Sequence, residues 1–266
     1  VPGVMQSMHL TEDQAQHYYP LGCGEYMVGW RSPSVLCCGW NVGKTLDAAL
    51  HGGFSGGAQI GPIGPKPEEI GSFEELYEAL MAHVRFCADT SAGYYSNVLR
   101  TVPMNCSFLL ASLLTDGCLE SGKGILEGAQ HVGACVMGHG FSNVADSLAA
   151  IKKVVFEDRK ATLAQVVRAL DADFEGYDDL RESLMAAPKF GNDLDEVDEI
   201  FVRLWSDMNQ EVDEAGKRAG LGFYTLSSVN PGGYAMGECC PATPDGRRSG
   251  QSFAIGHAPT AGMDRN

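Results

Sequence analysis

Basic residues are scarce in this chain. Its 19 Lys and Arg face 34 Asp and Glu, a net charge of −15. Nucleic acid and anionic membrane surfaces both require basic patches, so neither is expected as a partner. Long apolar runs are also missing: no stretch approaches the ~18 continuous apolar residues of a membrane span. No basic segment followed by an apolar one opens the sequence at Val1, so no secretory signal is read there. No Cys-x-x-Cys occurs among the nine cysteines, which removes the zinc-ribbon and iron–sulfur spacings. Thiols scattered irregularly suit a reducing cytoplasm better than a secreted disulfide framework. A phosphate loop at Gly43-Lys44-Thr45 would need glycine at position 38, which is Cys38, so a nucleotide site is rejected. Internal repeats and low-complexity tracts are absent.

What is present is an ordinary globular composition, 44% hydrophobic and 20% charged over 266 residues. That length allows one large domain or two small ones with a real core. Thr11 reads as a helix cap. A short helix is expected over Thr45–Leu50, and the Gly- and Pro-rich residues 54–71 read as loop. Ser72 and Glu75 have capping-box spacing, and Phe73, Leu76, Leu80 and Val84 form an apolar stripe running to about Arg100. Asn105–Leu114 reads as a buried apolar segment and His131–Val136 as a strand. Asn143 is expected to cap a helix over Val144–Phe156, and Thr162 to start the next. Asp178–Met185 and the acid-led Asp195–Lys217 follow, with acids in the first turn complementing the helix dipole. Gly222–Ser228 is the last strand candidate. Strands alternating with helices point to an α/β fold.

The most chemically suggestive stretch is His17–Tyr26. Cys23 stands between Gly22 and Gly24, with Glu25 two residues on. Glycines here permit tight backbone turns and close approach of a ligand. A loop-tip sulfur beside a carboxylate is a reactive arrangement, although free cysteine is more often a packing residue.

Downstream motifs sharpen that reading. Asn41–Gly53, Gln59–Pro62 with Ser72–Leu76, Asn143–Glu157, Pro188–Asp193 and Ala242–Arg247 follow the Gly-Cys-Gly-Glu stretch in order. Together they resemble the glycyl radical enzymes of the pyruvate formate-lyase superfamily, in the dehydratase and lyase branch with a Gly-Cys-x-Glu loop. The resemblance implies about half of a ten-stranded α/β barrel, with residues 1–266 as an internal fragment of that single barrel domain. The C-terminal loop holding the radical glycine is expected to lie outside the chain. Asn230-Pro231-Gly232-Gly233-Tyr234 imitates that loop but precedes the Thr-Pro-Asp-Gly-Arg motif, whereas the radical glycine follows it.

On this resemblance Cys23 carries a thiyl radical and Glu25 is the base or proton shuttle. Ser34 and Trp40 fall where relatives line the substrate cavity, and His139, between two glycines, either faces the same cavity or is an ordinary hydrogen-bonded histidine. The implied reaction is cleavage of a C–O, C–N or C–C bond in a small polar molecule. The implied partners are a radical-SAM activating enzyme, which installs the glycyl radical, and a second copy of the full-length protein. No metal or bound cofactor is expected, and the vicinal pairs Cys37-Cys38 and Cys239-Cys240 read as non-catalytic. The alternatives are acyl transfer of the formate acetyltransferase kind, disfavoured because no second cysteine adjoins Cys23, and a non-catalytic fragment or degenerate homologue. Gly24 and Tyr26 depart from the Val and Pro of characterised dehydratases, so no particular substrate is read from the loop.

Overall fold

A computed structural model describes residues 2–7, 10–21, 25–33, 36–228 and 232–260. The chain forms two compact units. The first comprises Val1–Cys38, Cys87–Met137 and Asn209–Ser227, and the second Gly39–Phe86, Gly138–Met208 and Ser228–Asn266. Seven strands are described: β1 (Tyr18–Leu21), β2 (Glu25–Val28), β3 (Leu36–Asn41), β4 (Phe54–Ser55), β5 (Ala58–Gln59), β6 (Ala134–His139) and β7 (Tyr224–Ser228). β1 and β2 form a hairpin, β4 and β5 another, and the remaining sheet has the order β3-β6-β7 with β6 central. The expected strands at His131–Val136 and Gly222–Ser228 therefore exist, the former shifted three residues toward the C-terminus.

In the first unit, Thr11 caps the short Glu12–Gln16 helix as expected. Its hydroxyl accepts from the Gln14 amide at 3.3 Å, and the Gln14 side chain accepts from the Thr11 amide at 2.9 Å. The helix and the β1–β2 hairpin close on a core of Leu10, Ala15, Met27, Val28, Cys135 and Phe223. Ser32 fastens the end of β2 by accepting from the Val28 amide and donating to the Val28 carbonyl. The segment Asn105–Leu114, expected to be buried, is not. It holds a five-residue helix, Leu109–Leu113, on which Leu109 and Leu110 are 69% and 73% exposed. An apolar run reports only that burial is favourable; what buries it is a property of the neighbours.

In the second unit the helix after β3 spans Val42–Leu50, three residues longer than expected at its start, because Asn41 caps it by accepting from the Lys44 amide at 2.9 Å. Part of 54–71 is not loop but the β4–β5 hairpin. Gly56 and Gly57 turn it with φ of +56° and +79°, as a two-residue type I′ turn requires. Ser72 accepts from the Glu75 amide, as expected, while Glu75 reaches back to the Gly71 amide at 2.7 Å. The helix they begin runs Phe73–Thr101.

Asn143 is not a cap. The helix it was expected to start begins at Phe141 and runs to Ile151, because Gly140 at φ +90° has already turned the strand into it. All eleven of its residues are buried, and it widens into a π-helical stretch over Lys152–Glu157. Thr162 starts Leu163–Asp171 as expected, with Gln165 completing a capping box, and Asp178–Met185 is found at its expected bounds. Asp195–Ala219 carries Asp195, Glu196 and Asp198 in its first turn and Lys217 and Arg218 in its last, both favourable to the helix dipole.

Candidate active site

In sequence, the cysteine stretch falls between β1 and β2. The register of this hairpin pairs Leu21 with Glu25, Pro20 with Tyr26, Tyr19 with Met27 and Tyr18 with Val28. Glu25 thus opens a strand whose backbone is fixed by pairing, and its side chain is half-buried. Cys23 and Ser34 lie outside the described residues.

The Glu25 charge is felt at a buried thiol of the first unit. Cys135, buried on central strand β6, places its Sγ 3.3 Å from Ser227 Oγ on β7 and 3.6 Å from the Val136 carbonyl. Burial pushes the Cys135 thiol up to about 11; the charges of Glu25 and Cys37 add to the rise, and hydrogen bonds to Ser227 and Thr225 oppose it. Cys135 is therefore a neutral thiol near neutral pH, and Glu25 and Cys37 are close enough for their charge to be felt there. Burial foremost raises the Tyr95 phenol far above the ordinary range, and Cys38 adds to the rise. Cys135, Ser227 and Tyr95 were not singled out by sequence. The available signal was hydroxyl residues inside a strand otherwise read as core, Tyr-Thr-Leu-Ser-Ser over β7.

Trp40 and His139 belong to the second unit. Trp40 is buried, and its indole Nε1 donates to Thr45 Oγ1 at 2.8 Å. That bond ties the end of β3 to the following helix and commits the polar atom of the ring. His139, at the end of β6, is 5% exposed and its Nδ1 has no hydrogen-bond partner. Burial holds its pKa below the usual imidazole range, so it is neutral. Gly232 is pressed against the ring: a Cβ there would fall 2.2 Å from His139 Cε1, so only glycine fits.

Motifs separated by some hundred residues meet in a buried polar knot of the second unit. Asn143 Nδ2 donates to Asp245 Oδ2 at 2.7 Å and to Thr260 Oγ1 at 3.3 Å, while its Oδ1 accepts from the Ala254 amide at 2.8 Å. Asp146 accepts from the Phe190 amide at 2.7 Å and from Thr260 Oγ1 at 3.3 Å. Lys189 Nζ donates to the Leu184 and Ala187 carbonyls at 2.8 and 3.1 Å. The Arg247 guanidinium, 5% exposed, donates to Thr243 Oγ1 and to the carbonyls of Gly237, Cys240, Pro241, Arg248 and Gln251. Buried polar groups are retained at low cost only when satisfied in this way. Burial raises Asp146 to about 7, with the Asp245 charge adding to it and the Phe190 amide, Lys189 and Thr260 opposing.

Among the described residues no group of three or more His, Cys, Asp and Glu is placed to hold a metal ion. No helix among them is long and apolar enough to cross a membrane. None of the described cysteines is in a disulfide.

Known proteins resemble this chain in sequence and fold. Trans-4-hydroxy-L-proline dehydratase of Clostridioides difficile is 30% identical over 250 residues, covering 92% of this chain and 32% of that protein. A probable dehydratase of Escherichia coli (strain K12) is 31% identical over 274 residues, covering 96% of this chain and 34% of the relative. The glycerol-bound B12-independent glycerol dehydratase of Clostridium butyricum superposes with a TM-score of 0.87 at 28% identity, over 98% of this chain and 34% of that one. The chain thus spans about a third of the length of the curated relatives it matches. Its α/β architecture is that of part of a glycyl radical enzyme barrel. Residues 1–233 match the pyruvate formate lyase-like family, and the chain belongs to that family.

Proposed function

We propose that the protein to which these residues contribute is a glycyl radical dehydratase or lyase, with Cys23 abstracting hydrogen and Glu25 moving a proton. The observation that carries this reading is the hairpin register: Leu21 pairs with Glu25, bracketing Gly22-Cys23-Gly24 between two fixed strands. Family membership and the dehydratases among the relatives support it. On this reading residues 1–266 are part of one barrel domain of a longer cytoplasmic protein that works as a homodimer. Trp40 and Ser34 are assigned to the substrate cavity on the strength of the sequence resemblance, and His139 on its place between two glycines.

A glycyl radical elsewhere on the longer protein, installed by a radical-SAM activating enzyme, would take the hydrogen atom of the Cys23 S–H bond, forming a glycine C–H bond and leaving the radical on sulfur. An S–H bond is comparable in strength to an activated C–H bond, so the abstraction is nearly balanced and reversible. The Cys23 sulfur takes a hydrogen atom from the carbon bearing a hydroxyl, forming S–H and leaving a carbon radical. Glu25 then accepts the proton of that hydroxyl and passes it to the hydroxide that leaves as the adjacent C–O bond breaks, so water departs and Glu25 is a carboxylate again. The sulfur returns its hydrogen atom to the product radical and is ready again. A neutral Cys135, at which the Glu25 charge is felt, adds no full charge to compete for that proton. The substrate class is small and hydroxylated, in keeping with the hydroxyproline and glycerol named for the relatives.

The test uses the full-length protein, activated anaerobically by the activase with S-adenosylmethionine and offered small diols and hydroxy amino acids. Cys23→Ser should keep the glycyl doublet in electron paramagnetic resonance and lose all turnover. Glu25→Gln should keep the doublet and lose roughly 10²–10⁴-fold in kcat, the usual share of general acid–base catalysis. Cys38→Ser should retain turnover. Turnover surviving in Cys23→Ser would sink the assignment.

A further inference from the structure

The second unit holds a cavity of 510 Å³ between Arg181, on the Asp178–Met185 helix, and the irregular segment 251–260. Three charged side chains line it: Arg181, Asp245 and Arg247. Two of them are fully engaged. The Asp245 carboxylate accepts from Asn143 on one oxygen and from Thr243 Oγ1 and the Arg247 amide on the other. The Arg247 guanidinium is surrounded by Thr243 and main-chain carbonyls, as described above. Arg181 is half-buried and has donors left over. Its Nε donates to the Gly246 carbonyl at 2.9 Å, and its guanidinium carbon lies 5.9 Å from the centroid of the Phe174 ring. These contacts orient the fork, yet among the described residues its two amino groups have no hydrogen-bond partner and no carboxylate at ion-pair distance. Asp178, three residues earlier on the same helix, is the partner that spacing offers, and Arg181 does not take it. The opposite wall is apolar and held in place. The Ala254 amide is fixed by Asn143, Thr260 by Asn143 and Asp146, and Pro259 sits where a Cβ on Gly191 would fall, 2.2 Å from its Cγ. Phe253, Ile255 and Ala258 face the cavity from this segment.

We propose that this cavity binds a small aliphatic monocarboxylate. The carboxylate takes the two amino groups of Arg181 in the two-pronged geometry that a planar guanidinium offers and an ammonium does not. The Tyr234 hydroxyl, on the same lining and without a partner among the described residues, is a further donor. The alkyl end packs on Phe253, Ile255 and Ala258, where it leaves water. Charge sets the class. Two guanidiniums and one carboxylate line the cavity, so one negative charge balances it. An ammonium would meet that excess of positive charge, and an uncharged ligand would leave the part-buried fork uncompensated. A dianion would add a second negative charge within a chain whose net charge is already −15. Neither Cys23 nor Glu25 takes part, so the site does not depend on the reaction assigned to them. A bound carboxylate joins the helix to the 251–260 segment and favours the folded state by mass action.

The probe is butyrate, titrated into the 266-residue chain and followed by saturation-transfer NMR, with n-butanol and n-butylammonium as matched uncharged and cationic controls. Butyrate should bind with a dissociation constant on the order of 1 mM, typical of so small a ligand. Butanol should bind at least ~10-fold more weakly, and butylammonium more weakly still. Arg181→Gln should weaken butyrate ~10-fold or more, while Arg181→Lys, which keeps the charge and loses the fork, should fall between the two. Arg181 also holds Gly246, so a second variant leaves that bond alone. Ala258→Asp puts a carboxylate on an exposed position of the opposite wall and should weaken butyrate ~10-fold or more through repulsion. Butanol binding as tightly as butyrate, or no butyrate binding at all, would overturn the proposal. So would wild-type affinity in either variant that circular dichroism shows to be folded. Should Arg181→Gln fail to fold, Ala258→Asp decides alone.

Discussion

His51 shows how much a single residue depends on partners distant in sequence. Its ring lies between two carboxylates, Nδ1 3.1 Å from Asp47 Oδ1 and Nε2 3.0 Å from Asp171 Oδ1. Asp47 foremost, with Asp171 adding, raises the imidazole to about 9 against an opposing effect of burial. The folded state therefore holds this proton more tightly than the unfolded one. The resulting stability is fully present below about pH 6.5, the ordinary histidine value, and is lost as pH rises through about 9. Asp146 acts in a lower window. Its folded pKa of about 7 exceeds the ordinary 3.8, so stability falls as pH rises between those values and is level above. Asp146 and His51 therefore each contribute a fall in urea midpoint as pH rises from 4 to 9, against the rise contributed by His131, His139 and His257, whose pKa values burial holds low. Asp146→Asn should flatten the acid half of the profile and His51→Gln the alkaline half. A profile that neither variant alters would show that these groups are not buried against the partners described. Asp47 is four residues before His51, a spacing legible in the sequence. Asp171 is 120 residues away, and nothing in the sequence points to it.

At the scale of elements, local chemistry predicted well and tertiary demand overrode it where side chains had distant work. Thr11, Ser72 and Thr162 each accept from the amide three residues on, as their spacing with Gln14, Glu75 and Gln165 implies. Asn143 has the same look but faces inward, because the Phe141–Ile151 helix starts earlier and is buried on all sides. Its amide joins Asp245, Ala254 and Thr260, all beyond residue 240, so a local capping rule had no means of finding them. Likewise the apolar Leu109–Leu113 helix carried a core signature and lies exposed. The Gly-Cys-Gly-Glu stretch drew attention by its sequence, whereas Cys135 and Ser227 did not, since their proximity is set by strand order rather than by sequence distance. Asn143→Ala should remove three hydrogen bonds and leave buried Asp245 short of a donor. A loss of roughly 2–4 kcal/mol in urea unfolding is expected, since stranding a buried charged acceptor costs more than the bonds themselves. Asn143→Ser, which keeps one donor, should lose less. Equal stability of wild type and Asn143→Ala would show that the knot is replaceable by water.

At the scale of the whole molecule, the chain covers about a third of its relatives and exposes surface that a finished barrel would be expected to cover. Met104, Leu109, Leu110, Leu114 and Leu119 are each 67–80% exposed within one stretch of the first unit. A cluster of that kind normally marks a surface awaiting a partner. The 266-residue chain taken alone is therefore expected to self-associate in analytical ultracentrifugation. It is also expected to be silent as a radical protein. A thiyl radical on Cys23 needs a radical source within contact, and the resemblance puts that source on a glycine loop after the Thr243–Arg247 motif. The nearest imitation within the chain, Gly233, opens a short helix, is buried and accepts a hydrogen bond from the Phe253 amide through its carbonyl. That leaves its Cα–H out of reach of an activating enzyme. Incubating this chain with a radical-SAM activase and S-adenosylmethionine should produce no glycyl doublet, whereas the full-length protein under the same conditions should give one. A doublet from the 266 residues alone that disappears in Gly233→Ala would place the radical on Gly233 and reverse the assignment.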